Sequence, residues 1–598
     1  MSSKKSRRDV LPAIDRSNKL VALVVSLAPF ALLIWFVAAF SVNVPYMDQW
    51  YLALLFKRVS TGASTFSDFF VQNNEHRLFF PKLIWTGLAF ATNWNTQCEM
   101  LVSLILALIT FLTIYYVADK QKGGEDKALF HLSAFLTSLL VFSLIQYENW
   151  LWGFQIGFIL VQTCVALAIS FATSSSLSPH CRFILAAFFC FVASFSAAHG
   201  LFSWLALIPL VSLIFYGRRK KVKIIAVWMV LFFISAAIYS YDFHRQAGGI
   251  MPDMFFPLKH PKEGTLFFLS LLGSQFAQGF TVSPLVLAPL MGAALLTVFL
   301  SCVFYLIFKN SFTEAAPWLS LGLFGLSFVL LTTIGRAAWG VGSAVGMSRY
   351  TTAPVFVAVG VIQMCRLASR VNSWWHTTFL IAVGCLSILI LVNSLYAVAQ
   401  ASQIKTQRAR AKSFIEIIPY IDQTTDRLKN GCLFPLYPHG DAGAIVRKNV
   451  ELLDQIGFQH IITDAKFIDN SDFHFGSFDL IATDSGGPLV KKGDSAVKAS
   501  GWAALPDVGK LPDLIMISYD DNKFFVTGAP PGTGSDRSDV VKLFGSDIYA
   551  KAGWVINIPA ELLPEREIVL KAWAYDADRK RFIKLSDYNG EKRVRVEN

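Results

Sequence analysis

The chain is poor in charge and in cysteine. Only 16% of its 598 residues are charged, whereas 54% are hydrophobic, a balance that excludes an ordinary soluble domain. Seven of its eight cysteines lie in or beside apolar runs without the spacing of a zinc site, and only Cys432 lies in the polar carboxyl-terminal part. The sequence therefore predicts neither a disulfide in that part nor a structural zinc.

Sequence motifs for nucleotides and repeats are also missing. Neither G-x-G-x-x-G nor G-x-x-x-x-G-K-[ST] stands beside a predicted strand, and no collagen, heptad or solenoid repeat is visible. The net charge of +12 could indicate nucleic-acid binding, but much of it lies in short loops between apolar runs. That distribution indicates membrane topology instead.

Long apolar runs dominate the first 400 residues. Each run is long enough to cross a bilayer as a helix. The first run is too long for a cleaved signal peptide and has no A-x-A site, so we expect a retained anchor. The sequence predicts eleven membrane helices near 20–42, 98–118, 129–146, 156–174, 183–198, 200–217, 223–241, 285–308, 315–334, 351–368 and 377–398.

Basic residues set the orientation. The cluster at 218–223 and the basic segment 1–19 are expected in the cytoplasm. Eleven spans then place the carboxyl-terminal region outside, and the apolar stretches 78–91 and 266–280 are assigned to helices in the outer interface. The basic residues that this topology places on the cytoplasmic side are Lys4, Lys5, Arg7, Arg8, Arg16, Lys19, Lys120, Lys122, Lys127, Arg182, Lys309, Arg366 and Arg370.

Composition changes near residue 400. We expect a transmembrane domain over 20–400, a helical or mixed connector over 401–480 that opens with an amphipathic helix at 405–428, and a β domain over 481–598. Short β-type runs alternate with turn residues in the last region, which predicts a small antiparallel β-sandwich. The predicted strands are 497–505, 514–519, 524–527, 554–558, 568–575 and 581–585. The expected fold is thus an α-helical polytopic membrane protein with an extracytoplasmic, mainly β domain.

Two polar clusters follow the first helix. Asp48 lies beside Gln49 and Trp50, and Glu75-His76-Arg77 leads into an apolar segment with Pro81 and Lys82. An interfacial loop with a solvated carboxylate explains the first cluster, and helix-start charges explain the second. Chemistry is the other reading, because charged groups close to hydrocarbon are costly to keep.

A third cluster lies in the next predicted outer loop. Glu148, Asn149, Trp152 and Gln155 combine tryptophan with hydrogen-bonding side chains, as a sugar-binding surface does. An aromatic belt explains the tryptophans alone. His199 lies between two predicted helices on the same face, where a helix-end residue and a site residue are both open readings.

The fourth cluster is a candidate phosphate site. Arg336 ends one predicted helix and Ser348-Arg349-Tyr350 begins the next, joined by a loop of small residues. Guanidinium groups match phosphate oxygens bidentately, and arginines are less expected on an outer face. The other reading is a pair of arginines that anchor helices at the bilayer edge. Weaker outer-face candidates are Arg245, Lys259, His260 and Lys262.

The order of these features resembles membrane glycosyltransferases of the GT-C superfamily, above all bacterial lipid A aminoarabinose transferases and protein O-mannosyltransferases. Asp48 stands where the family has its first-loop acidic residue, and the segment 76–85 stands in place of its His-Pro-Pro segment and juxtamembrane helix. The family's Asp-Glu pair is Asp48-Gln49 here, and His-Pro-Pro has become His-Arg-Leu. The resemblance therefore implies a divergent branch.

The resemblance implies sugar transfer, with inversion, from a polyprenyl-phosphate donor to an extracytoplasmic lipid or glycan acceptor such as lipopolysaccharide or O-antigen, in a bacterial inner membrane. Asp48 is then the general base, with Glu75 and His76 as further catalytic residues. A divalent cation (Mg or Mn) could bind at Asp48 and Glu75, although the spacing indicates no firm metal site. Arg77, Lys82, Arg336, Arg349 and Tyr350 are the expected donor-phosphate ligands, and Glu148, Asn149, Trp152, Gln155 and His199 the expected sugar or acceptor ligands.

Two other functions stay open. A flippase or transporter of lipid-linked glycans would carry charged residues within its spans, at mid-depth, whereas here the polar clusters gather at one face. An O-antigen-type polymerase or ligase would share the outer-face site and its arginines, and the sequence separates it poorly from a single-sugar transferase. None of these readings includes a nucleic-acid partner.

Overall fold

A computed structural model describes residues 23–121, 127–215, 217–244, 253–370, 373–429, 431–469, 474–483, 489–490, 495–521, 523–585 and 591–597. The chain forms two compact units. The first contains residues 1–43 and 65–403, and the second contains 44–64 and 404–598. Of the sequence predictions, the segment 1–19 with its six basic residues, the start of the first helix, Lys122 and Arg245 lie outside the described residues.

Helices make up the first unit and flank the sheets of the second. In chain order the α-helices are α1 (Ala28–Phe40), α2 (Leu52–Ser60), α3 (Phe66–Phe70), α4 (Phe79–Thr92), α5 (Thr96–Lys120), α6 (Lys127–Val141), α7 (Tyr147–Trp150), α8 (Ile156–Thr173), α9 (Pro179–Ser194), α10 (Ser203–Ala206), α11 (Ile208–Ile214), α12 (Arg218–Ser240), α13 (Phe256–Lys259), α14 (Pro261–Gly273), α15 (Pro284–Phe308), α16 (Phe312–Arg336), α17 (Val341–Gly346), α18 (Pro354–Ser369), α19 (Ser373–Ser413), α20 (Ala442–Gln455) and α21 (Ser538–Phe544). The 3-10 helices are Met47–Tyr51, Leu144–Gln146, Gly153–Gln155, Ala198–Phe202, Ser274–Phe276, Ala337–Trp339, Ser348–Thr351, Ile418–Tyr420, Gln423–Arg427, Phe434–Leu436, Asp547–Lys551 and Ala560–Leu562.

Nine helical runs within the described residues are long and apolar enough to cross a membrane, so the chain is a multi-pass membrane protein. They are Leu23–Phe40, Thr96–Lys120, Lys127–Trp150, Gly153–Thr173, Arg218–Ser240, Pro284–Phe308, Phe312–Trp339, Ser348–Ser369 and Trp374–Ser413. The polytopic α-helical fold is confirmed, with nine such runs in the described part of the chain instead of eleven.

The other two predicted spans are shorter or broken. Helix α9 is apolar but has only 16 residues, and the run expected over 200–217 consists of the short helices α10 and α11. Pro209 lies at the start of α11, and because proline lacks a backbone N–H, it removes one helix hydrogen bond and favours a break there. The two stretches assigned to the interface form α4, with 14 residues, and α14, with 13 residues.

Helix α18 is the centre of the first unit. Its residues Pro354–Ala368 are buried, and it packs against α16. Glycines make this approach possible: a Cβ on Gly325 would lie 2.8 Å from the Ala353 carbonyl oxygen, and one on Gly360 would lie 2.9 Å from that of Trp318. Small residues let membrane helices pack with their backbones close together. The position of α18 fixes the segment just before it, which carries Arg349.

Two β-sheets make up most of the second unit. The larger has seven strands in the order β1-β9-β8-β10-β3, with β5 on the other edge of β8 and β6 on β5, and the smaller has the order β2-β4-β7. The strands are β1 (Lys466–Ile468), β2 (Gly476–Thr483), β3 (Leu489–Val490), β4 (Ala496–Ala503), β5 (Leu514–Tyr519), β6 (Thr527–Ala529), β7 (Gly553–Pro559), β8 (Glu567–Asp576), β9 (Arg581–Lys584) and β10 (Glu591–Val596).

The two sheets share one core, in which Val497 and Ile556 of the smaller sheet are buried with Ile517 and Leu570 of the larger. The mainly β, sandwich-like prediction is confirmed. The larger sheet is mixed, however, because β1 pairs with β9 and β10 with β3 in parallel, so the purely antiparallel prediction is wrong for it. Parallel partners come from distant parts of a chain, and local turn signals do not reveal them.

The second unit also takes in the segment that follows α1. Helix α2 packs against α20, and the ring centroids of Phe56 and Phe458 lie 6.2 Å apart. The Tyr51 and Tyr437 hydroxyl oxygens lie 2.8 Å apart. Asp48 therefore belongs to the same compact unit as the carboxyl-terminal sheets.

We predict that Ile517→Ala loosens both sheets of the second unit. Ile517 is fully buried, and a large-to-small change at such a position costs about 2–5 kcal/mol, against about 0.5–1.5 kcal/mol for the Ile517→Val control. Hydrogen exchange of the full-length protein in detergent should show faster exchange in β4 and β7 as well as in β5 and β8. Unchanged exchange in β4 and β7 would contradict a shared core.

Candidate functional site

A tight turn presents Glu75 and His76 ahead of α4. The backbone N–H groups of Asn73 and His76 donate to each other's carbonyl oxygens at 2.8 and 2.9 Å. Asn74 has φ +50°, a left-handed conformation that asparagine tolerates better than most residues. Helix α4 follows with Pro81 as its third residue, as a helix start accepts. The turn thus fixes where the two side chains emerge.

Glu75 pairs with Arg336, the last residue of α16. An Arg336 Nη2 donates to Glu75 Oε1, and the guanidinium lies over the Trp339 ring, 4.7 Å from its centroid. A cation at a helix carboxyl end is favoured by the helix dipole. The other carboxylate oxygen, Glu75 Oε2, is buried and has no hydrogen-bond partner among the described residues. Residues 261 positions apart in sequence are thereby joined in one ion pair.

His76 completes this group as a neutral side chain. The Ala198 backbone N–H donates to His76 Nδ1 at 3.1 Å, so in the neutral ring the proton belongs on Nε2. That atom lies 3.9 Å from Glu75 Oε1. Burial lowers the pKa of His76, Glu75 opposes that effect, and Arg336 adds to it. Burial alone would raise the pKa of Glu75, but the neighbouring basic side chains and the hydrogen bond from Arg336 outweigh burial and hold that pKa below its usual value.

His199 lies behind His76, with Phe158 between them. The Phe158 ring centroid is 5.3 Å from the centroids of both histidine rings, and Phe328 meets His199 edge-on at 4.8 Å. His199 is 4% exposed, and its Nε2 has no hydrogen-bond partner among the described residues. Burial lowers the pKa of His199 to about 3. His199 is therefore an uncharged, enclosed side chain instead of a residue on an open surface.

A second ion pair joins the third and fourth sequence clusters. Arg349 Nη1 donates to Glu148 Oε1 at 3.0 Å, and Glu148 Oε2 accepts from the Arg349 backbone N–H at 3.0 Å and from the Ser348 hydroxyl at 3.2 Å. Asn149 Nδ2 donates to the Arg349 carbonyl oxygen at 3.1 Å and to the Thr352 hydroxyl. The Arg349 guanidinium lies over the Tyr350 ring, 5.2 Å from its centroid. Helix α7 and the start of α18 are thus locked together by charge.

Arg77 and Lys82 contact the backbone. Arg77 Nε donates to the Tyr239 carbonyl oxygen at 3.1 Å, Nη1 to that of Phe70 at 3.0 Å and Nη2 to that of Tyr241. Lys82 Nζ donates to the carbonyl oxygens of Asp68 and Val71 at 3.1 and 2.8 Å. Burial lowers the pKa of Lys82 to about 8. In this structure both cations tie chain segments together, where the sequence predicts phosphate ligands.

The aromatic residues expected to stack on a sugar stack on one another. Trp152 lies 5.5 Å from Phe154, and Phe154 lies 4.8 Å from Trp85, each pair nearly parallel. Gln155 is buried, and its Oε1 has no partner among the described residues. An open sugar surface at Trp152 and Gln155 is therefore not what the structure describes, because these side chains form an internal cluster.

Asp48 lies on the 3-10 helix Met47–Tyr51 of the second unit. Burial, the hydrogen bond with Tyr51 and the charge of Asp48 all raise the pKa of Tyr437. Asp48 therefore lies near Tyr437 within the second unit. Glu75, Glu148, His199, Arg336 and Arg349 all belong to the first unit.

Within the described residues no three His, Cys, Asp or Glu side chains are grouped as a metal site requires. Glu75, one of the two predicted ligands, already has Arg336 as its counter-ion. The chemistry that this arrangement offers is anion binding and hydrogen bonding at partly enclosed arginines.

Sequence reasoning missed the rings and amides that hold these groups. Trp339, Phe158, Thr352 and the Ala198 amide all contact a predicted site residue. Trp339 lies in the loop of small residues between Arg336 and Ser348. Its position three residues after Arg336 was the one sequence signal for its contact with that arginine. Nothing local marks Phe158 or Ala198, because their roles depend on helix packing.

We predict that His199→Phe flattens the pH dependence of stability. The folded-state pKa of His199 is about 3, whereas the unfolded value is about 6.5. Below about pH 6.5 the unfolded chain takes up a proton that the folded chain does not, so stability falls by about 1.4 kcal/mol per pH unit. The variant should lose that dependence in thermal unfolding measured at pH 7.5 and 5.5. Phe158→Leu, which disturbs the same rings without removing a titratable group, should keep it, and an identical pH dependence in wild type and His199→Phe would contradict the assignment.

Comparison with known proteins gives a weak likeness to a solved structure. No protein-family model matches the chain, and no curated protein matches it either. A crystal structure of ArnT from Cupriavidus metallidurans bound to undecaprenyl phosphate is similar over 76% of this chain and 82% of that chain, at 12% sequence identity and a TM-score of 0.35. A likeness at this level does not decide what the chain does.

Proposed function

We propose that the chain is a membrane glycosyltransferase that moves a sugar from a polyprenyl-phosphate donor to an extracytoplasmic lipid or glycan acceptor of the bacterial cell envelope. One observation carries the proposal. Two arginines at the ends of membrane helices, Arg336 and Arg349, are each held against a glutamate from a distant segment and an aromatic ring. Charge kept beside hydrocarbon at such cost is usually functional.

Arg336 and Arg349 are the proposed ligands of the donor phosphate. A guanidinium offers paired N–H donors that match phosphate oxygens. The Arg336 guanidinium packs on the Trp339 ring, and the Arg349 guanidinium packs on the Tyr350 ring. In the free protein Glu75 and Glu148 occupy these donors, and the donor phosphate would compete with them. Arg77 and Lys82 hold backbone carbonyl oxygens, so we assign them to positioning the turn that carries Glu75.

The transfer needs a base and a stabilised leaving group. A carboxylate removes the acceptor hydroxyl proton as the acceptor oxygen bonds to the anomeric carbon, the bond from that carbon to the phosphate oxygen breaks, and its electron pair stays on the phosphate. Attack opposite the phosphate inverts the anomeric centre. Asp48 is the predicted base, and Glu75 is the carboxylate that accompanies Arg336. No step of this scheme is assigned to a cation.

Orientation is part of the same proposal. Nine spans, like eleven, leave the two ends of the chain on opposite sides of the membrane, and the basic cluster Arg218–Lys221 is expected in the cytoplasm. Helix α12 then emerges on the outer side, where the Tyr239 carbonyl oxygen meets Arg77. In this orientation the turn that carries Glu75 lies on the outer face, where a donor lipid in the bilayer can reach it.

The charge distribution favours an enzyme over a flippase. Each candidate span has an 18-residue window with two or fewer charged side chains, and Glu99 and Arg366 lie near the ends of their helices. A flippase or transporter would carry charged groups at mid-depth in its spans. Mass spectrometry of membrane lipids and surface glycans from wild-type and deletion cells tests the function. We expect the deletion cells to lose one hexose, pentose or amino-sugar increment. Identical spectra would contradict the proposal.

We predict that Asp48→Asn abolishes transfer in complemented deletion cells, because an amide cannot take the acceptor proton. Glu75→Gln is the matched comparison: it also loses a carboxylate, but at the arginine pair. The readout is the missing sugar increment, with membrane insertion checked by immunoblot of the membrane fraction. Full activity of Asp48→Asn together with an inactive Glu75→Gln would move the base to Glu75.

We predict that Arg349→Ala reduces donor use at least tenfold and far more than Arg349→Lys does, because lysine keeps the positive charge although it loses the paired N–H donors. Loss of Arg349 also leaves the part-buried Glu148 carboxylate without this counter-ion, which lowers stability. The double variant Arg349→Ala, Glu148→Ala therefore separates folding from function: it should regain thermal stability and stay inactive. Recovery of activity in the double variant would make Arg349 a structural residue.

A further inference from the structure

Five cations stand within the first six residues of α12, in the first unit: Arg218, Arg219, Lys220, Lys221 and Lys223. Lys221 is half-buried, and the other four are exposed. The first turn of the helix contains no acidic residue, and none of the five forms an ion pair with a described residue. The positive end of a helix dipole disfavours cations, and like charges one turn apart repel each other. Positive charge is thus concentrated where the helix itself does not stabilise it.

Helix α9 extends this basic surface, because it begins beside α12 and runs parallel to it. The ring centroids of His180 and Phe215 lie 5.3 Å apart just before α12, and those of Phe183 and Trp228 lie 5.5 Å apart farther along both helices. His180 is exposed in the first turn of α9, and Arg182 is the fourth residue of that helix. Two helix starts therefore bring their basic side chains to the same side of the first unit.

Exposed apolar side chains continue from these cations along both helices. Six of them are between 48% and 62% exposed: Ile184, Phe188, Val222, Val227, Val230 and Phe233. At about 1.5 Å per residue, the segment 222–233 is about 16 Å long, which is roughly half of a hydrocarbon core of about 30 Å and so the depth of one leaflet. Cations at one end and one leaflet of exposed hydrocarbon below them match an anionic phospholipid. A nucleic acid or an acidic protein has no counterpart for the apolar part.

We propose that the starts of α9 and α12 form a binding surface for an anionic phospholipid, with its phosphate against the basic side chains and its acyl chains along the exposed valines of α12. The positive-inside rule accounts for the sign of these charges. It does not account for cations from two parallel helices that adjoin a strip of exposed hydrocarbon, whereas basic side chains at this depth attract anionic headgroups. The inference goes beyond the proposed function and does not rest on it, because this lipid is a bound partner and donates no sugar.

The first test measures lipid preference. Purified full-length protein in detergent is incubated with equal amounts of phosphatidylglycerol, cardiolipin and phosphatidylcholine, and native mass spectrometry counts the lipid that each protein retains. Wild type should retain the anionic lipids at least tenfold over phosphatidylcholine. The triple variant Arg219→Gln, Lys220→Gln, Lys223→Gln should lower that preference at least fivefold. The matched triple Lys498→Gln, Lys542→Gln, Arg593→Gln, which removes three exposed cations of the second unit, should keep it. No preference in wild type, or an equal loss in both triples, would overturn the proposal.

The second test leaves the basic cluster intact, since membrane orientation also depends on it. Wild-type protein in nanodiscs is irradiated with phosphatidylglycerol that carries a diazirine in its acyl chain, and separately with phosphatidylcholine that carries the same group. Crosslinks enriched in 184–188 and 222–233 with the anionic lipid alone support the surface, and the same crosslinks from both lipids contradict it. Displacement of the bound lipid by equimolar glycerol phosphate would indicate a site for free phosphate instead. Displacement by a single-stranded RNA would assign the surface to nucleic acid, and either displacement would overturn the lipid proposal.

Discussion

The pairing of glutamate with arginine at the ends of membrane helices is the constraint on which this site depends. Glu75–Arg336 and Glu148–Arg349 each join segments 200 or more residues apart. A charge next to hydrocarbon is stable only when a partner or hydrogen bonds replace the water it loses. Each pair therefore fixes two helix ends at once. Together the two pairs hold two guanidinium groups, one in each pair. In the proposed function an anion displaces the carboxylate from them.

The neighbouring groups follow from these pairs. His76 lies 3.9 Å from the Glu75 carboxylate, with its Nδ1 held by the Ala198 amide. Arg77 ties the same turn to the end of α12 through carbonyl oxygens. The position of Glu75 thus depends on Arg77, a side chain that the sequence suggested as a phosphate ligand and that here donates to backbone carbonyl oxygens. This difference separates the groups that position the site from those that would touch the donor.

The second unit has a different organisation. Its sheets share a core of aliphatic residues, and the strand pattern read from alternation matches β4, β5, β7, β8 and β9. The strands β1, β2, β3 and β10 were not predicted, and the predicted strand 524–527 overlaps β6 at a single residue. The strands β1 and β3 have only two or three residues, which carry no readable alternation, and they pair in parallel with distant strands. Local sequence pattern also did not predict that Asp48 belongs to the same unit as the carboxyl-terminal sheets. Helix α2 packs on α20, a contact between segments almost four hundred residues apart.

The sequence alone determined the membrane class, most helix positions, the β character of the last part and the four polar clusters. These depend on hydropathy and short-range pattern, which each residue carries with it. Only the tertiary structure decided which clusters meet: Glu148 with Arg349, Glu75 with Arg336, and Trp152 with Phe154 inside the protein instead of on a surface. It also decided that Arg77 and Lys82 hold carbonyl oxygens. Such choices are made by helix packing around α18, where the energy of a charge depends on the partner that packing brings to it.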